Sequence, residues 1–345
     1  MTSSVSLGTT GSQSQNAAAT TPDLAAEIDR LAGRLTELRA ALATVIFGQE
    51  TTIEQSLTAM LAGGHVLLIG VPGLAKTKLV DTLGRVLGLD ANRVQCTPDL
   101  MPADITGSEV LEESDTGRRS FRFIQGPVFC QLLMADEINR ASPRTQSALL
   151  QAMQEHKVSI AGQTYALPSP FHVLATQNPL EQEGTYPLPE AQLDRFLLQI
   201  NVDYPSLAAE RQMLIVTTGA SEVPPAAILS GDELLAAQRL VRRLPVGEKV
   251  LDAILRLVRS GRPEESDLPE ISKHLAWGPG PRAGQALMLA CRARALIDGR
   301  LSPSIDDVVA LAHPVLRHRI ALNYGARAEG VSLGGVIDRL ITQLG

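Results

Sequence analysis

An apolar run that leads into a glycine-bearing loop constrains this chain more than any other feature. The run is Val66-Leu67-Leu68-Ile69, and the loop reads Gly70-Val71-Pro72-Gly73-Leu74-Ala75-Lys76-Thr77. A helical pattern follows, so the order is strand, loop and helix, which is the layout of a phosphate-binding P-loop. Such a loop directs backbone N–H groups at phosphate oxygens, and the helix N-terminus adds the positive end of its dipole. An ordinary strand-to-helix turn is the alternative.

Each part of the loop has an expected role. Lys76 is expected to reach the β- and γ-phosphates of ATP, and the Thr77 hydroxyl to bind Mg²⁺. Ala75 departs from the strict pattern, which has glycine there; alanine keeps the N–H donor but resists positive φ. The expected nucleotide-binding residues are Gly70, Val71, Pro72, Gly73, Leu74, Ala75, Lys76, Thr77 and Lys78.

Two acids follow a second apolar run, Val128-Phe129-Cys130-Gln131-Leu132-Leu133-Met134-Ala135. A strand that ends in acids places both carboxylates at the carboxyl edge of a sheet, where open α/β folds bind ligands. Asp136 is expected to hold Mg²⁺. Glu137 is expected to accept a proton from the water that attacks the γ-phosphate. A solvated acidic pair that opens a loop is the alternative.

A third apolar run, Phe171-His172-Val173-Leu174-Ala175-Thr176, ends at Gln177-Asn178-Pro179. An amide at this strand tip, beside Asp136, could orient the attacking water and contact the γ-phosphate. Asn before Pro is also a common turn signal. The three strand ends together favour a nucleotide site.

These and neighbouring segments resemble the MoxR family of AAA+ ATPases, over roughly residues 48–323. Family members look alike in having Ala before the P-loop Lys. The segments that carry the resemblance, besides the P-loop, are Gly64-His65-Val66-Leu67-Leu68, Pro102-Ala103-Asp104-Ile105-Thr106-Gly107, Phe123-Ile124-Gln125-Gly126-Pro127-Val128-Phe129, Ala135-Asp136-Glu137-Ile138-Asn139-Arg140-Ala141, Thr145-Gln146-Ser147-Ala148-Leu149-Leu150, Ala175-Thr176-Gln177-Asn178-Pro179 and Glu183-Gly184-Thr185-Tyr186-Pro187-Leu188-Pro189-Glu190-Ala191-Gln192-Leu193-Asp194-Arg195-Phe196.

The resemblance implies roles for four polar residues. Asn178 matches the residue called sensor 1. Arg195 stands where related proteins carry an arginine finger that enters the neighbouring subunit's site; a surface ion pair with a nearby acid is its alternative. Arg140 is a second candidate for an intersubunit role. Arg282, in Gly280-Pro281-Arg282-Ala283, looks like the sensor 2 arginine that reaches the nucleotide from the lid, although Gly280 replaces the usual Ser.

The chain divides into four parts. Residues 1–20 carry no charge and are expected to be a disordered tail. Residues 21–44 form an amphipathic helix, whose apolar stripe packs on its own domain or on a partner helix. Residues 45–204 alternate strand and helix patterns, and residues 205–345 are helical. The fold class is therefore α/β: by resemblance, a P-loop AAA+ parallel sheet sandwiched by helices, followed by a linker and a smaller all-α lid domain.

Two inserted segments are candidates for client contact. The segment 157–167 is expected to form a hairpin that turns near Gly162. By resemblance it faces the central pore of a ring, and the segment 121–126 corresponds to the insert in the second helix. An exposed Tyr165 or Ile160 could grip a partner protein.

Composition excludes several classes. A net charge of −6 and the lack of a Lys/Arg block give no electrostatic footprint for nucleic acid. The densest basic segments, 292–294 and 317–319, are interpreted as solvated lid faces or subunit contacts. No apolar run approaches the ~20 residues that span a bilayer, so direct membrane insertion is not expected. Nothing resembles a signal peptide, and three separated cysteines fit reducing, cytoplasmic surroundings. The six histidines are expected to be structural or exposed.

Together these features predict an Mg²⁺-dependent ATPase, and the resemblance implies that it forms a homo-oligomeric ring, expected to be a hexamer. The family implies chaperone-like remodelling or activation of a protein client, often one with a von Willebrand factor A domain. This chain has no Asp-x-Ser-x-Ser motif, so such a domain is expected on another polypeptide. A metal-chelatase-type motor subunit, a nucleotide-gated scaffold with little turnover and a nucleic-acid motor are the alternatives.

Overall fold

The computed structural model describes residues 21–113, 119–181, 183–219 and 224–344; the tail predicted for residues 1–20 lies outside these ranges. The helices are α1 (Thr21–Ala43), α2 (Glu50–Ala62), α3 (Lys76–Val86), α4 (Pro102–Thr106), α5 (Pro143–Glu155), α6 (Glu190–Leu193), α7 (Leu207–Thr217), α8 (Gly231–Arg243), α9 (Glu248–Ser260), α10 (Pro269–His274), α11 (Pro281–Ile297), α12 (Ile305–Leu316), α13 (Tyr324–Ala328) and α14 (Leu333–Thr342). The strands are β1 (Val66–Ile69), β2 (Ala91–Gln95), β3 (Gly107–Glu113), β4 (Arg119–Gln125), β5 (Leu132–Asp136), β6 (Lys157–Ile160), β7 (Gln163–Ala166), β8 (His172–Gln177), β9 (Leu198–Asn201), β10 (Leu275–Trp277) and β11 (Ala321–Leu322).

A five-stranded parallel sheet in the order β2-β5-β8-β1-β9 forms the centre of the fold. The register pairs Ile69 of β1 with Gln177 of β8, and Ala135 of β5 with Ala175 of β8. The ends of β1, β5 and β8 therefore meet at one edge of the sheet. The predicted class, a parallel sheet flanked by helices, is confirmed.

Alternate side chains of β1 enter two different cores, as strand geometry requires. Val66 and Leu68 belong to a core that includes α1, α2 and α3 and continues into the lid helices. Leu67 belongs to the core on the opposite face, which contains α5 and Phe196. Helices therefore cover both faces of the sheet, and one core joins the sheet to the lid.

Helix α1 packs on its own chain, which decides between the two alternatives for its apolar stripe. Ile28, Leu35, Leu38 and Leu42 are fully buried. They contribute to the core shared with α2, α3 and α11.

Two antiparallel hairpins project from the ATPase core. The pair β6–β7 confirms the hairpin predicted around Gly162, and β3–β4 forms a second hairpin that the sequence reasoning did not specify. The Tyr165 ring stacks on Phe123 with ring centroids 4.2 Å apart, so the two hairpins contact each other. Tyr165 and Ile160 are half-buried, not exposed, whereas Phe121 on β4 is 71% exposed.

The lid consists mainly of helices, in keeping with the predicted fold class, but it also contains a short strand pair. Strands β10 and β11 form a short antiparallel ladder between α10 and α13. Strands of two or three residues carry no readable alternation, because their pairing depends on tertiary contacts. None of the helices in the described ranges combines the length and apolar character that a bilayer crossing requires.

The basic segments 292–294 and 317–319 are not simply solvated, which corrects the first of the two interpretations given for them. Arg294 donates to Glu54 at 2.8 Å and to the buried Asp307 at 2.9 Å. Arg319 is only 2% exposed. Both arginines tie the lid to the ATPase core, because each contacts a residue of the core domain.

Candidate functional site

Two residues of the loop between β1 and α3 are under backbone constraints: one is packed too closely for a side chain, and the other has a left-handed conformation. A Cβ on Gly70 would lie 2.7 Å from the Val202 carbonyl oxygen, so this position accepts only glycine. Ala75, directly before α3, has φ 55° and ψ 21°, which is the left-handed region. This conformation costs a non-glycine residue roughly 1–2 kcal/mol. Alanine therefore occupies the position where the P-loop pattern has glycine: it keeps the backbone N–H, and its backbone is strained.

Lys76 is held beneath the loop by the loop itself. Its Nζ donates to the carbonyl oxygens of Gly70 at 2.8 Å and Val71 at 2.7 Å. Burial lowers the pKa of Lys76, against the opposing effect of Asp136 and Glu137. A phosphate that entered the loop would compete with the two carbonyls for the ammonium group.

Asp136 ends β5 and is held by residues from both neighbouring strands. The Thr176 hydroxyl, on β8, donates to its Oδ1, and Arg93, on β2, donates to its Oδ2 at 2.6 Å. Sequence reasoning missed both partners. Strand pairing could have suggested them, because Thr176 is one residue from the end of β8, the strand that Asn178 follows.

Glu137 also has a left-handed backbone, with φ 55°. Its Oε2 accepts hydrogen bonds from Gln95 Nε2 at 2.9 Å and from Arg140 at 3.0 Å. Two donors therefore hold the carboxylate that sequence reasoning assigned as the base. Arg140, a candidate for an intersubunit role, contacts the Glu137 of its own chain.

Asn178 follows the end of β8 and is 6% exposed. Its Nδ2 donates to Glu181 at 2.8 Å, and its Oδ1 accepts from the backbone N–H of Leu180 at 3.1 Å. These two bonds fix the orientation of the amide. The position of Asn178 therefore depends on the turn that sequence reasoning gave as its alternative explanation.

One cavity of about 380 Å³ collects these groups. Its lining consists of Pro72, Gly73, Leu74, Ala75, Lys76, Thr77, Lys78, Asp136, Glu137, Thr176 and Asn178. The P-loop, the acid pair and the strand-tip amide thus meet as predicted. Gly70 and Val71 contribute their carbonyls to Lys76 instead of lining this cavity.

The donor set of the cavity suits Mg²⁺. Thr77 offers a hydroxyl oxygen and Asp136 a carboxylate oxygen, and Mg²⁺ is usually bound through one or two such groups together with phosphates and water. Among the described residues there is no cluster of three or more His, Cys, Asp or Glu side chains that could hold a metal alone. These residues therefore fit a metal that arrives with a nucleotide.

Arg195 and Arg282 lie in a different cavity of about 260 Å³, which also contains Asp194 and Arg319. One Arg195 nitrogen donates to the Leu150 carbonyl of α5 at 2.7 Å. Arg282 lies 3.6 Å from the Asp194 carboxylate. Neither arginine lines the P-loop cavity of its own chain. A sensor 2 role for Arg282 within its own subunit therefore has no support in this arrangement.

The histidines of the core are structural, as expected. His65 is held by the Met153 carbonyl and the Val173 N–H, and His172 by Gly64 and Gln238. Burial lowers the pKa of His65 to about 3 and that of His172 to about 4. The cysteines Cys96, Cys130 and Cys291 are free and buried.

Two family models match the chain. The model described as "ATPase family associated with various cellular activities (AAA)" matches residues 65–198, and the AAA lid domain model matches residues 270–340. The first range contains the P-loop, the acid pair, Asn178 and Arg195; the second contains Arg282 and Arg319.

Similar proteins cover most of the chain. Chaperone MoxR1 of Mycobacterium tuberculosis is 44% identical over 319 residues, which are 92% of this chain and 82% of the relative. Protein MoxR of Paracoccus denitrificans is 32% identical over 86% of this chain and 92% of its own length. A crystal structure of a Cytophaga hutchinsonii protein assigned as an ATPase superposes with a TM-score of 0.85 at 37% identity, covering 92% of this chain and 96% of that one.

Proposed function

This chain belongs to the MoxR family of AAA+ ATPases, and from that premise we propose that it hydrolyses ATP with Mg²⁺ in the cavity between the P-loop and the ends of β5 and β8. One observation carries the proposal. Five groups with complementary chemistry, Lys76, Thr77, Asp136, Glu137 and Asn178, line that single cavity.

Each residue at the phosphate end would have a defined task. Lys76 would exchange its two carbonyl acceptors for β- and γ-phosphate oxygens, because charged acceptors form stronger hydrogen bonds than neutral carbonyls. Thr77 and Asp136 would hold Mg²⁺, which when bound neutralises negative charge on the phosphates. The Thr176 and Arg93 hydrogen bonds would keep the Asp136 carboxylate directed at this position.

Glu137 would take the proton of the attacking water. Its carboxylate is oriented by Gln95 and Arg140, and Asn178 lies in the same cavity with its amide fixed by Glu181. General bases act when they are held within hydrogen-bond reach of the proton that they remove. Asn178 would place the water between its amide and Glu137.

A neighbouring subunit would complete the site. The P-loop cavity has Lys76 and Lys78 as its cations, while Arg195 and Arg282 lie elsewhere on the chain. An arginine supplied in trans stabilises charge on the transferring phosphoryl group. Such a head-to-tail contact closes into a ring when its rotation closes, and the family resemblance suggests a hexamer.

The ring would act on a protein client. Chaperone-like remodelling, maturation or activation is the action that the family resemblance suggests, with a von Willebrand factor A domain protein as client. The exposed Phe121 on the β3–β4 hairpin is a better contact candidate than the half-buried Tyr165 or Ile160. The three buried free thiols suit a reducing compartment, so we place the chain in the cytoplasm.

A nucleotide-gated scaffold is the second candidate, and one observation favours it. Both Gln95 and Arg140 donate to the Glu137 carboxylate, which would keep that carboxylate from water if the bonds persisted with ATP bound. A scaffold would bind ATP and release it largely unchanged.

The steady-state ATPase rate measured against protein concentration tests the proposal. Cooperative growth of the rate per chain is expected, together with loss of activity in Glu137→Gln and Arg195→Ala. Nucleotide binding without Glu137-dependent turnover at any concentration would support the scaffold. A rate per chain that is independent of concentration down to the monomer would contradict the shared site.

A further inference from the structure

Arg319, just after α12 in the lid, uses four of its five N–H donors on the segment 194–197, which carries Arg195, and the fifth on Val315 of α12. It is 2% exposed. Its Nε donates to Asp194 Oδ1 at 2.7 Å, and its other nitrogens donate to the carbonyls of Asp194 at 3.2 Å, Phe196 at 2.6 Å, Leu197 at 3.1 Å and Val315 at 2.7 Å. An arginine has five N–H donors, so none is left over.

The neighbouring His318 reinforces this contact. Its Nε2 lies 3.0 Å from the Phe196 carbonyl oxygen, and the side chain is buried. Burial and the nearby Arg319 charge hold the pKa of His318 well below its usual value. The ring is therefore neutral, and Nε2 must carry the proton because a carbonyl can only accept.

The clamped segment has little regular structure of its own. Residues 194–197 connect the four-residue helix α6 to β9. Arg319 and His318 bind carbonyls on both sides of Arg195, while Arg195 itself donates to Leu150. Its Nε is buried and has no hydrogen-bond acceptor among the described residues.

Asp194 links this clamp to the second arginine of the cavity. One of its carboxylate oxygens accepts from Arg319, and the other lies 3.6 Å from Arg282. The Arg319 charge thus has one carboxylate partner, which it shares. Both arginines come from the lid, so the lid position determines where Asp194 and the adjoining Arg195 lie.

We propose that Arg319 is a positioning residue, which fixes the backbone on both sides of Arg195 so that the lid sets where Arg195 meets the neighbouring subunit. This inference rests on the proposed trans role of Arg195. It assigns Arg319 no contact with nucleotide, because Arg319 lies in the second cavity and not in the P-loop cavity.

Arg319→Lys tests the inference in the full-length chain. Lysine keeps the charge opposite Asp194 but has three donors on a flexible stem instead of a planar fork of five. The expected result is a kcat reduced on the order of 10- to 100-fold, because small misplacements of a catalytic group have effects of this size. KM and the affinity for a fluorescent ADP analogue should stay at wild-type values. Arg317→Lys, two positions away and half-buried, is the matched control and should change neither.

Mixing the variant with Glu137→Gln separates the inference from the proposed function. Glu137→Gln chains lack the base but would offer a correctly placed Arg195 to Arg319→Lys neighbours, so the mixture should regain activity. The reference mixture, Arg195→Ala with Glu137→Gln, tests the trans site alone. If the reference mixture stays inactive, the shared site that the proposed function assigns to Arg195 is wrong. Recovery in the reference but not with Arg319→Lys overturns the role of Arg319, as does an Arg319→Lys chain that loses nucleotide binding or melts well below wild type.

Discussion

The backbone N–H of Glu137 donates to the Thr176 hydroxyl at 2.9 Å. The same hydroxyl donates to the Asp136 carboxylate, so one side chain on β8 orients both acids at the end of β5. Thr176 is 1% exposed, and water cannot easily replace it there. The different orientations of Asp136 and Glu137 therefore depend on Thr176, which contacts neither phosphate nor metal in the proposed mechanism.

Replacing Thr176 by valine should impair hydrolysis more than binding. Valine has a similar shape but leaves the Glu137 N–H without its acceptor, which costs about 1–3 kcal/mol for a buried donor. We expect kcat to fall about tenfold or more because the acid pair is displaced. Steady-state kinetics and denaturant unfolding measure the two effects. Thr176→Ser keeps the hydroxyl and should recover most of the rate; equal losses in both variants would contradict the role of the hydroxyl.

Arg140 should act within its own subunit. Its hydrogen bond to Glu137 at 3.0 Å predicts that Arg140→Ala lowers kcat in the chain that carries it. A mixture of Arg140→Ala and Glu137→Gln chains should then be no more active than the two variants measured apart, because no site in the mixture has both residues. Recovery of ATPase activity in that mixture would instead place Arg140 in trans.

The strained Ala75 predicts a graded response to side-chain size. Ala75→Gly relieves the left-handed strain but adds freedom to the unfolded chain, and these terms are each about 1 kcal/mol, so stability should hardly change. Ala75→Val puts a β-branched side chain at φ 55° and should lose about 1–2 kcal/mol or more, together with nucleotide affinity. Urea unfolding and ADP titration check both; a tolerated valine would contradict the observed loop conformation.

The stability of the chain should fall as the pH drops below 6.5. His172 has a pKa of about 4 in the folded state, whereas its ordinary value, taken for the unfolded chain, is 6.5. Between these values the unfolded chain binds a proton that the folded chain excludes, so stability is lost on acidification. The slope is about 1.4 kcal/mol per pH unit for each such histidine. His65, with a pKa of about 3, adds to the same slope.

His172→Asn isolates this contribution. Its amide nitrogen can take the place of Nδ1 against Gly64, and it does not titrate in this range. The free energy of unfolding is measured between about pH 4.5 and about pH 6.5. Its slope against pH should be lower in His172→Asn than in the wild type, by about 1.4 kcal/mol per pH unit. An unchanged slope would mean that His172 is not buried in its neutral form.

The ligand-binding edge of this fold could be predicted well from the sequence, because its functional residues lie in short contiguous motifs. The loop that ends in Lys76, the acids after β5 and the amide after β8 each follow an apolar strand, and parallel pairing brings strand ends together. The apolar run before Asp136 was longer than its strand, however. Residues 128–131 make turn contacts such as Cys130 N–H to Val128 carbonyl, so β5 begins only at Leu132.

Contacts between distant segments could not be predicted in this way. Arg319 was interpreted as part of a basic segment that is solvated or contacts another subunit, but it is buried against a turn of its own chain that lies 125 positions earlier. A helical pattern shows which face of a helix is apolar. An arginine on that helix can be recognised as buried only when its hydrogen-bond partners are known, and these lie far away in the sequence. Thr176 and Gln95 were missed for a similar reason, since their roles follow from strand register and not from a local motif.

The central claim is that one subunit supplies Glu137 and the next supplies Arg195, and a mixing experiment tests it most directly. Glu137→Gln and Arg195→Ala, each inactive alone, are combined in equal amounts and the ATPase rate is measured. Random head-to-tail assembly should restore about a quarter of the wild-type rate per chain, because about half the chains keep Glu137 and about half of those have a neighbour with Arg195. A mixture as inactive as its components, in rings shown to contain both chains, would contradict the shared site.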